Sequence, residues 1–122
     1  HLFLLVNDLD DAINDFSDRF DWHVIENYKM DKIIENNSVM IGNAQPQLNL
    51  IDTSQVNSEI QNFVEQNALK NNQGFFGACW RAGNINEFEE HLLKNNIEYH
   101  KIGNSINISS KLLHGINTFV VG

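Results

Sequence analysis

Val6-Asn7-Asp8-Leu9 and Ala82-Gly83-Asn84-Ile85 stand 76 residues apart, and each joins an apolar run to an amphipathic one. Before the first lies Leu2-Phe3-Leu4-Leu5-Val6, a short apolar run of the kind a buried strand makes. After it, Leu9, Ala12, Ile13, Phe16 and Phe20 recur at helical spacing, so one face of a helix meets a core. Asp8 is a side chain suited to the helix N-cap, and Asp10 and Asp11 fall where the helix dipole favours negative charge. Asp21, a short polar residue, follows the last turn and suits a left-handed cap. The second stretch repeats the scheme. Phe75 to Arg81 predicts a strand, Asn84 a cap, and Ile85, Phe88, Leu92 and Leu93 a helix face, with Asn96 where Asp21 stood before. An offset that keeps strand and helix in phase implies two similar modules.

Between these landmarks, Trp22 to Tyr28 alternates well enough for a strand, as do Lys32 to Glu35 with Ser38 to Ile41. Gly42-Asn43-Ala44-Gln45-Pro46 reads as a turn and Gln47 to Ile51 as the strand that closes the first module. Ser58 to Asn71 predicts a connecting helix through Ile60, Phe63, Val64 and Leu69. In the second half, Ile97 to Ile102 and Gly115 to Val121 predict strands. On this count the last strand is absent from the 122 residues. The organisation expected is one domain over 1–122, with module one at 1–54, a connecting helix at 55–73 and module two at 74–122.

Composition narrows the function classes. Eight basic residues face sixteen acidic ones, a formal charge of −8, so no basic stripe exists to neutralise nucleic-acid phosphates. An acidic surface is either plain solvated exterior or a lure for a cationic ligand. No apolar run approaches the length of a membrane span, and no secretory signal pattern is visible. A single cysteine, Cys79, excludes an internal disulfide and fits a reducing, cytoplasmic setting. Glycine-rich phosphate loops, a G-x-S-x-G elbow, CxxC pairs and H-E-x-x-H are all missing from the sequence.

The opening strand, Asp-Leu turn and helix of residues 1–13, the closing run Gln47-Leu48-Asn49-Leu50-Ile51-Asp52, and the restart at Gly77-Ala78-Cys79-Trp80-Arg81 together resemble the vicinal oxygen chelate superfamily (glyoxalase, bleomycin-resistance and dioxygenase-like domains). His114 to Gly122 resembles a late strand of the second module. The resemblance implies an α+β fold of two βαβββ modules that form a U-shaped mixed sheet with helices outside. It also implies a homodimer. Metal-dependent members take two ligands from each module, one at the start of the first strand and one within the closing strand. By position these fall on His1, which matches, on Asn49 in place of Glu, and on Gly77, which has no ligand atom; the fourth is expected beyond Gly122. A catalytic metal generally needs about three protein ligands and an open position. The departures at Asn49 and Gly77 lean against metal-dependent catalysis, and His1 alone remains a weak metal candidate. No other cofactor is indicated.

Individual residues keep two readings each. His1 is a ligand, polar lining of a binding site, or a residue left by a purification tag. Asn49 turns away from Leu48 and Leu50 and so faces the opposite side of the sheet, where a buried amide needs a partner. Cys79 and Arg81 share a face with Gly77; Arg81 either grips a carboxylate or phosphate or pairs with an acidic neighbour. Cys79 is a small core residue or, with a base nearby, a nucleophile. Trp22 and Tyr99 either stack a planar ligand or belong to the core. The leading function is a metal-independent binding protein for a small molecule, cationic or aromatic in character. The alternatives are a metal-dependent lyase, isomerase or dioxygenase of the same superfamily, and a non-catalytic interaction domain.

Overall fold

In the computed structural model the described residues are 1–26, 37–43, 47–54 and 58–122, with backbone only at 58 and 59. The elements run β1 (Leu2–Val6), α1 (Leu9–Phe20), β2 (His23–Val24), β3 (Ser38–Gly42), β4 (Gln47–Asp52), α2 (Ser58–Gln66), β5 (Gly74–Arg81), α3 (Ile85–Lys94), β6 (His100–Ile102), β7 (Ser105–Ile108) and β8 (Asn117–Val121). This is βαβββ twice over, with α2 between the repeats, and the fold class is α+β as the sequence implies. The chain divides into two compact units, His1–Phe76 and Gly77–Gly122, with the division falling inside β5.

In the first unit the strands lie in the order β2-β3-β4-β1. β1 pairs parallel with β4, setting Phe3 against Asn49 and Leu5 against Ile51. β3 pairs antiparallel with β4, setting Met40 against Asn49. Alternation then sorts the side chains by face. Val6, Ile41 and Leu50 are buried in one cluster with Leu4, Val39 and Leu48, and α1 packs on it through Leu9, Ala12, Ile13 and Phe16. Phe3, Leu5, Met40, Asn49 and Ile51 occupy the other face and are all buried.

The second unit repeats this plan in the order β5-β8-β7-β6. β5 pairs parallel with β8, with Cys79 against Phe119, and β7 sets Asn107 against Phe119 on the other side. Leu92, Ile106, Ile108 and Val120 form its helix-side core, with Ile85 and Phe88 of α3 packed against them. The face turned away from α3 holds Cys79, Ser105, Asn107 and Phe119, all buried.

The helix starts explain the offset of 76 residues. Asp8 caps α1 at φ −137°, ψ 105°, accepting from the Asp11 N–H at 3.0 Å. Asn84 caps α3 at φ −141°, ψ 106°, accepting from the N–H groups of Asn86 and Glu87, and its own amide donates to Glu87 Oε1 at 3.0 Å. Each cap satisfies amide donors that the first turn leaves open. The helix ends also agree: Asp21 and Asn96 both adopt left-handed backbone, φ 56° and 55°. At the first of them, Trp22 N–H reaches back to Phe16 C=O and the Asp21 N–H to Ser17 C=O. His23 ties this corner together, its ring bridging Ser17 Oγ at 3.1 Å and Asp21 Oδ1 at 2.7 Å.

Three expectations are corrected. The last strand is not missing: Asn117–Val121 is the closing strand of module two, and the strand overlooked is Ser105–Ile108. Gly103, at φ 58°, and Asn104 turn β6 into β7 in a two-residue hairpin that sets Ile102 against Ser105. The run from Ile97 yields a strand only over His100–Ile102, and the connecting helix ends at Gln66. There Leu69 N–H bonds Val64 C=O, and a 3-10 turn at Lys70–Asn72 follows with Asn71 and Asn72 at φ 56°. β2 covers His23–Val24 of the stretch expected from Trp22 to Tyr28; the remainder past residue 26, the arm at 32–35 and the turn at 44–46 lie outside the described residues.

Candidate functional site

On the face of unit one turned away from α1, Asn49 stands in register between Phe3 of β1 and Met40 of β3. The amide is 5% exposed, and its Oδ1 has no hydrogen-bond partner among the described residues. A carbonyl-type oxygen left in that state costs about 1–3 kcal/mol of folding free energy. Sequence alternation anticipated both the direction of Asn49 and its need for a partner. His1 precedes β1 on the same parity; its ring meets Phe3 edge-on, centroids 5.1 Å apart at 79°, and its Nε2 is buried.

On the matching face of unit two, Ser105 is 1% exposed, and its Oγ likewise has no partner among the described residues. Asn107 donates from Nδ2 to the Thr118 carbonyl at 3.3 Å. Cys79 is buried against this face, and that burial pushes its thiol above the ordinary value. A thiol so placed is kept in its protonated, weakly nucleophilic form. Arg81, at the end of β5 on the same parity, is exposed and donates from Nη1 to the Gly122 carbonyl at 3.3 Å.

Two of the expected ligand-stacking aromatics lie elsewhere. Trp22 packs on the α1 side, stacked on Phe16 with centroids 5.9 Å apart and planes 8° from parallel. Tyr99 packs on the α3 side and donates its hydroxyl to Glu89 Oε1 at 2.7 Å. Lys101 donates to the other oxygen of the same carboxylate at 3.0 Å. The hydroxyl and ammonium hold the Glu89 carboxyl below the ordinary carboxylate range, and the same carboxylate holds the Tyr99 phenol above its ordinary value. Both aromatics thus serve helix packing, through the strand parity opposite to that of Asn49 and Ser105. The structure keeps His1 with Asn49 on one module face, and Cys79 with Arg81 on the other. Ser105 and Asn107 are the additions the sequence reading missed, because they belong to the overlooked strand.

The four metal-ligand positions implied by the resemblance can now be placed. Cys79 and Phe119 are partners across β5 and β8 as Phe3 and Asn49 are across β1 and β4. The fourth position therefore falls on Phe119, inside the chain, and not beyond Gly122. Phe119 has no donor atom. Gly77 has none either and tolerates no side chain, since a Cβ there would stand 2.3 Å from the Asn117 carbonyl oxygen and 2.9 Å from Asn117 Cβ. Module two thus offers no metal ligand at either position, and a side-chain-bound divalent ion does not fit this donor set. Among the described residues no three His, Cys, Asp or Glu side chains gather into an alternative one. A separate cleft of about 460 Å³ in unit one, between the end of β1 and the start of α1, is lined by Asp8, Asp11, Asp15 and Gln73.

No protein-family profile matches the sequence, and no curated protein matches it. Solved structures do share its fold. Methylmalonyl-CoA epimerase from Mycobacterium tuberculosis superposes with a TM-score of 0.76 over 99% of this chain and 84% of its own, at 16% identity. A variant of the Streptomyces coelicolor methylmalonyl-CoA epimerase, in complex with 2-nitronate-propionyl-CoA, gives 0.75 over 98% of this chain and 90% of its own, at 11% identity. A hypothetical protein from Bacillus halodurans C-125 gives 0.76 over 98% and 89%, at 9% identity. The chain has a glyoxalase-like fold over nearly its whole length. At these identities the likeness is one of fold. Among the described residues no helix is long and apolar enough to cross a membrane.

Proposed function

We propose that this protein binds a small molecule on a sheet face turned away from its helix, and that it does so without a metal ion. The observation that carries the reading is the buried Oδ1 of Asn49, unpartnered among the described residues, an acceptor kept at a cost in stability on the face turned away from α1. Ser105 Oγ repeats the pattern in the second module. Support for metal independence comes from Gly77 and Phe119, which offer module two no donor. A lyase, isomerase or dioxygenase that chelates its substrate through a divalent ion needs more ligands than His1 and an amide oxygen supply. The epimerases of the same fold act on a coenzyme A thioester, so acyl thioesters belong in the first ligand set, beside aromatic cations and uncharged aromatics.

Thermal-shift screening of the tag-free chain against that set tests the proposal, with Asn49→Leu as the control. A ligand that raises the melting temperature of the native chain in a saturable way, and fails to raise that of Asn49→Leu, is the expected result. No saturable shift from any class counts against a binding role and favours the scaffold reading.

A further inference from the structure

The charge of the chain is unevenly placed. Residues 1–76 hold twelve of the sixteen acidic residues and four of the eight basic ones, so the whole formal charge of −8 belongs to that unit. Residues 77–122 are balanced, with Arg81, Lys94, Lys101 and Lys111 against Glu87, Glu89, Glu90 and Glu98. All four of these glutamates lie on α3 or between α3 and β6, and β5, β6, β7 and β8 carry no acidic residue. Lys101 is committed to Glu89 on the α3 side. Arg81 has no side-chain carboxylate partner among the described residues and meets the main-chain oxygen of Gly122 at 3.3 Å.

Arg81 shares its face with Cys79 on β5, and Ser105 shares that face with Asn107 on β7; β8 alone lies between the two strands. Strand spacing sets β5 and β7 roughly 10 Å apart, within reach of one small molecule once the length of an arginine side chain is counted. The guanidinium is at the exposed end of this face and the unpartnered hydroxyl at its buried part. Resting on the small-molecule reading above, we infer that the ligand is an anion: its carboxylate or phosphate group sits on Arg81, and a polar atom further along it meets Ser105 Oγ. The planar fork of arginine matches two oxygens of such a group at once. A cationic ligand is the opposite of what this face favours, since it would meet Arg81 with no acidic side chain on β5, β6, β7 or β8 to receive it.

Titrations of the tag-free chain with malonate, with inorganic phosphate and with benzyltrimethylammonium, followed by amide chemical shifts, test this inference. Saturable binding of malonate or phosphate is expected, with Arg81→Gln weakening it tenfold or more and Arg81→Lys recovering part of the loss. Malonate alone assigns the site to carboxylates, and phosphate alone to phosphoryl groups. Ser105→Ala should weaken binding several-fold while the unliganded protein melts at the same temperature or higher, a combination that a purely structural serine would not give. Anion binding that Arg81→Gln leaves intact overturns the inference. So does binding of the ammonium but of neither anion, a result that would leave the small-molecule function itself standing. Absence of binding by every probe and every member of the ligand screen would remove both.

Discussion

The carbonyl oxygen of Asn117 occupies the space in which a side chain at Gly77 would begin, 2.3 Å from the Cβ position. Backbone and not a flexible side-chain tip makes this contact, so it cannot be relieved by a rotamer change. The residue is glycine because β8 runs too close at that point, and the same closeness removes a metal-ligand position. Packing of the second module and loss of the ligand are one fact.

Gly77→Ala is therefore expected to destabilise the chain by about 3 kcal/mol or more, at the upper end of overpacking costs. Urea denaturation at neutral pH checks this. Gly77→His, designed to restore a ligand, should be as unstable and should take up no nickel or zinc. A Gly77→His variant that folds and binds metal would show that β8 can withdraw.

Asn49→Leu replaces an amide whose Oδ1 is unpartnered among the described residues by an apolar group of similar size. Removing the unsatisfied acceptor should raise stability by roughly 1 kcal/mol without altering the denaturant slope. A loss of stability of similar size would mean that Asn49 Oδ1 is satisfied in solution.

Asp8→Ala and Asn84→Ala should cost about 1 kcal/mol each, because the two caps share one backbone geometry. Lying in separate units, the two losses should add. Denaturation of both single variants and the double variant tests the duplication, and markedly unequal costs would weaken it.

Glu89 links α3 to β6 through Tyr99 and Lys101. Its depressed pKa means the folded state prefers the carboxylate, so this contribution is present above the ordinary glutamate value and fades as pH falls below about 4. The raised pKa of Tyr99 has the opposite sense: its contribution is full below the ordinary tyrosine value and is lost as pH rises past about 10. Glu89→Gln should flatten the acid limb of the stability profile, and Tyr99→Phe the alkaline limb. Denaturation midpoints at several pH values give the comparison, and unchanged limbs in both variants would show that these exposed contacts are screened by solvent.

Much of the fold is legible in the sequence because it rests on local chemistry. Asp8 and Asn84 declare helix starts, Asp21 and Asn96 their ends, and Leu2–Val6 its strand to the residue. The alternation at Leu48-Asn49-Leu50 fixes which way the amide points. β7 escaped because Ser105-Ile106-Asn107-Ile108 offers only four alternating residues, and its one strong signal, the hairpin dipeptide Gly103-Asn104, is short. With β7 unseen, β8 reads as the strand before the last, and Phe119 cannot be recognised as the counterpart of Asn49. Trp22 and Tyr99 show a different limit: an aromatic beside a strand joins the core or the site according to its parity, which requires the strand's register to be known.

Elemental mass spectrometry of the tag-free protein, purified without chelators and then dialysed against zinc, nickel, manganese and cobalt in turn, tests the central claim most directly. The account predicts far less than one equivalent of each metal per chain, with ligand binding unaffected by added chelator. Near-stoichiometric retention of one metal, lost in a His1→Ala variant, would contradict it and place the protein among the chelating enzymes of its fold.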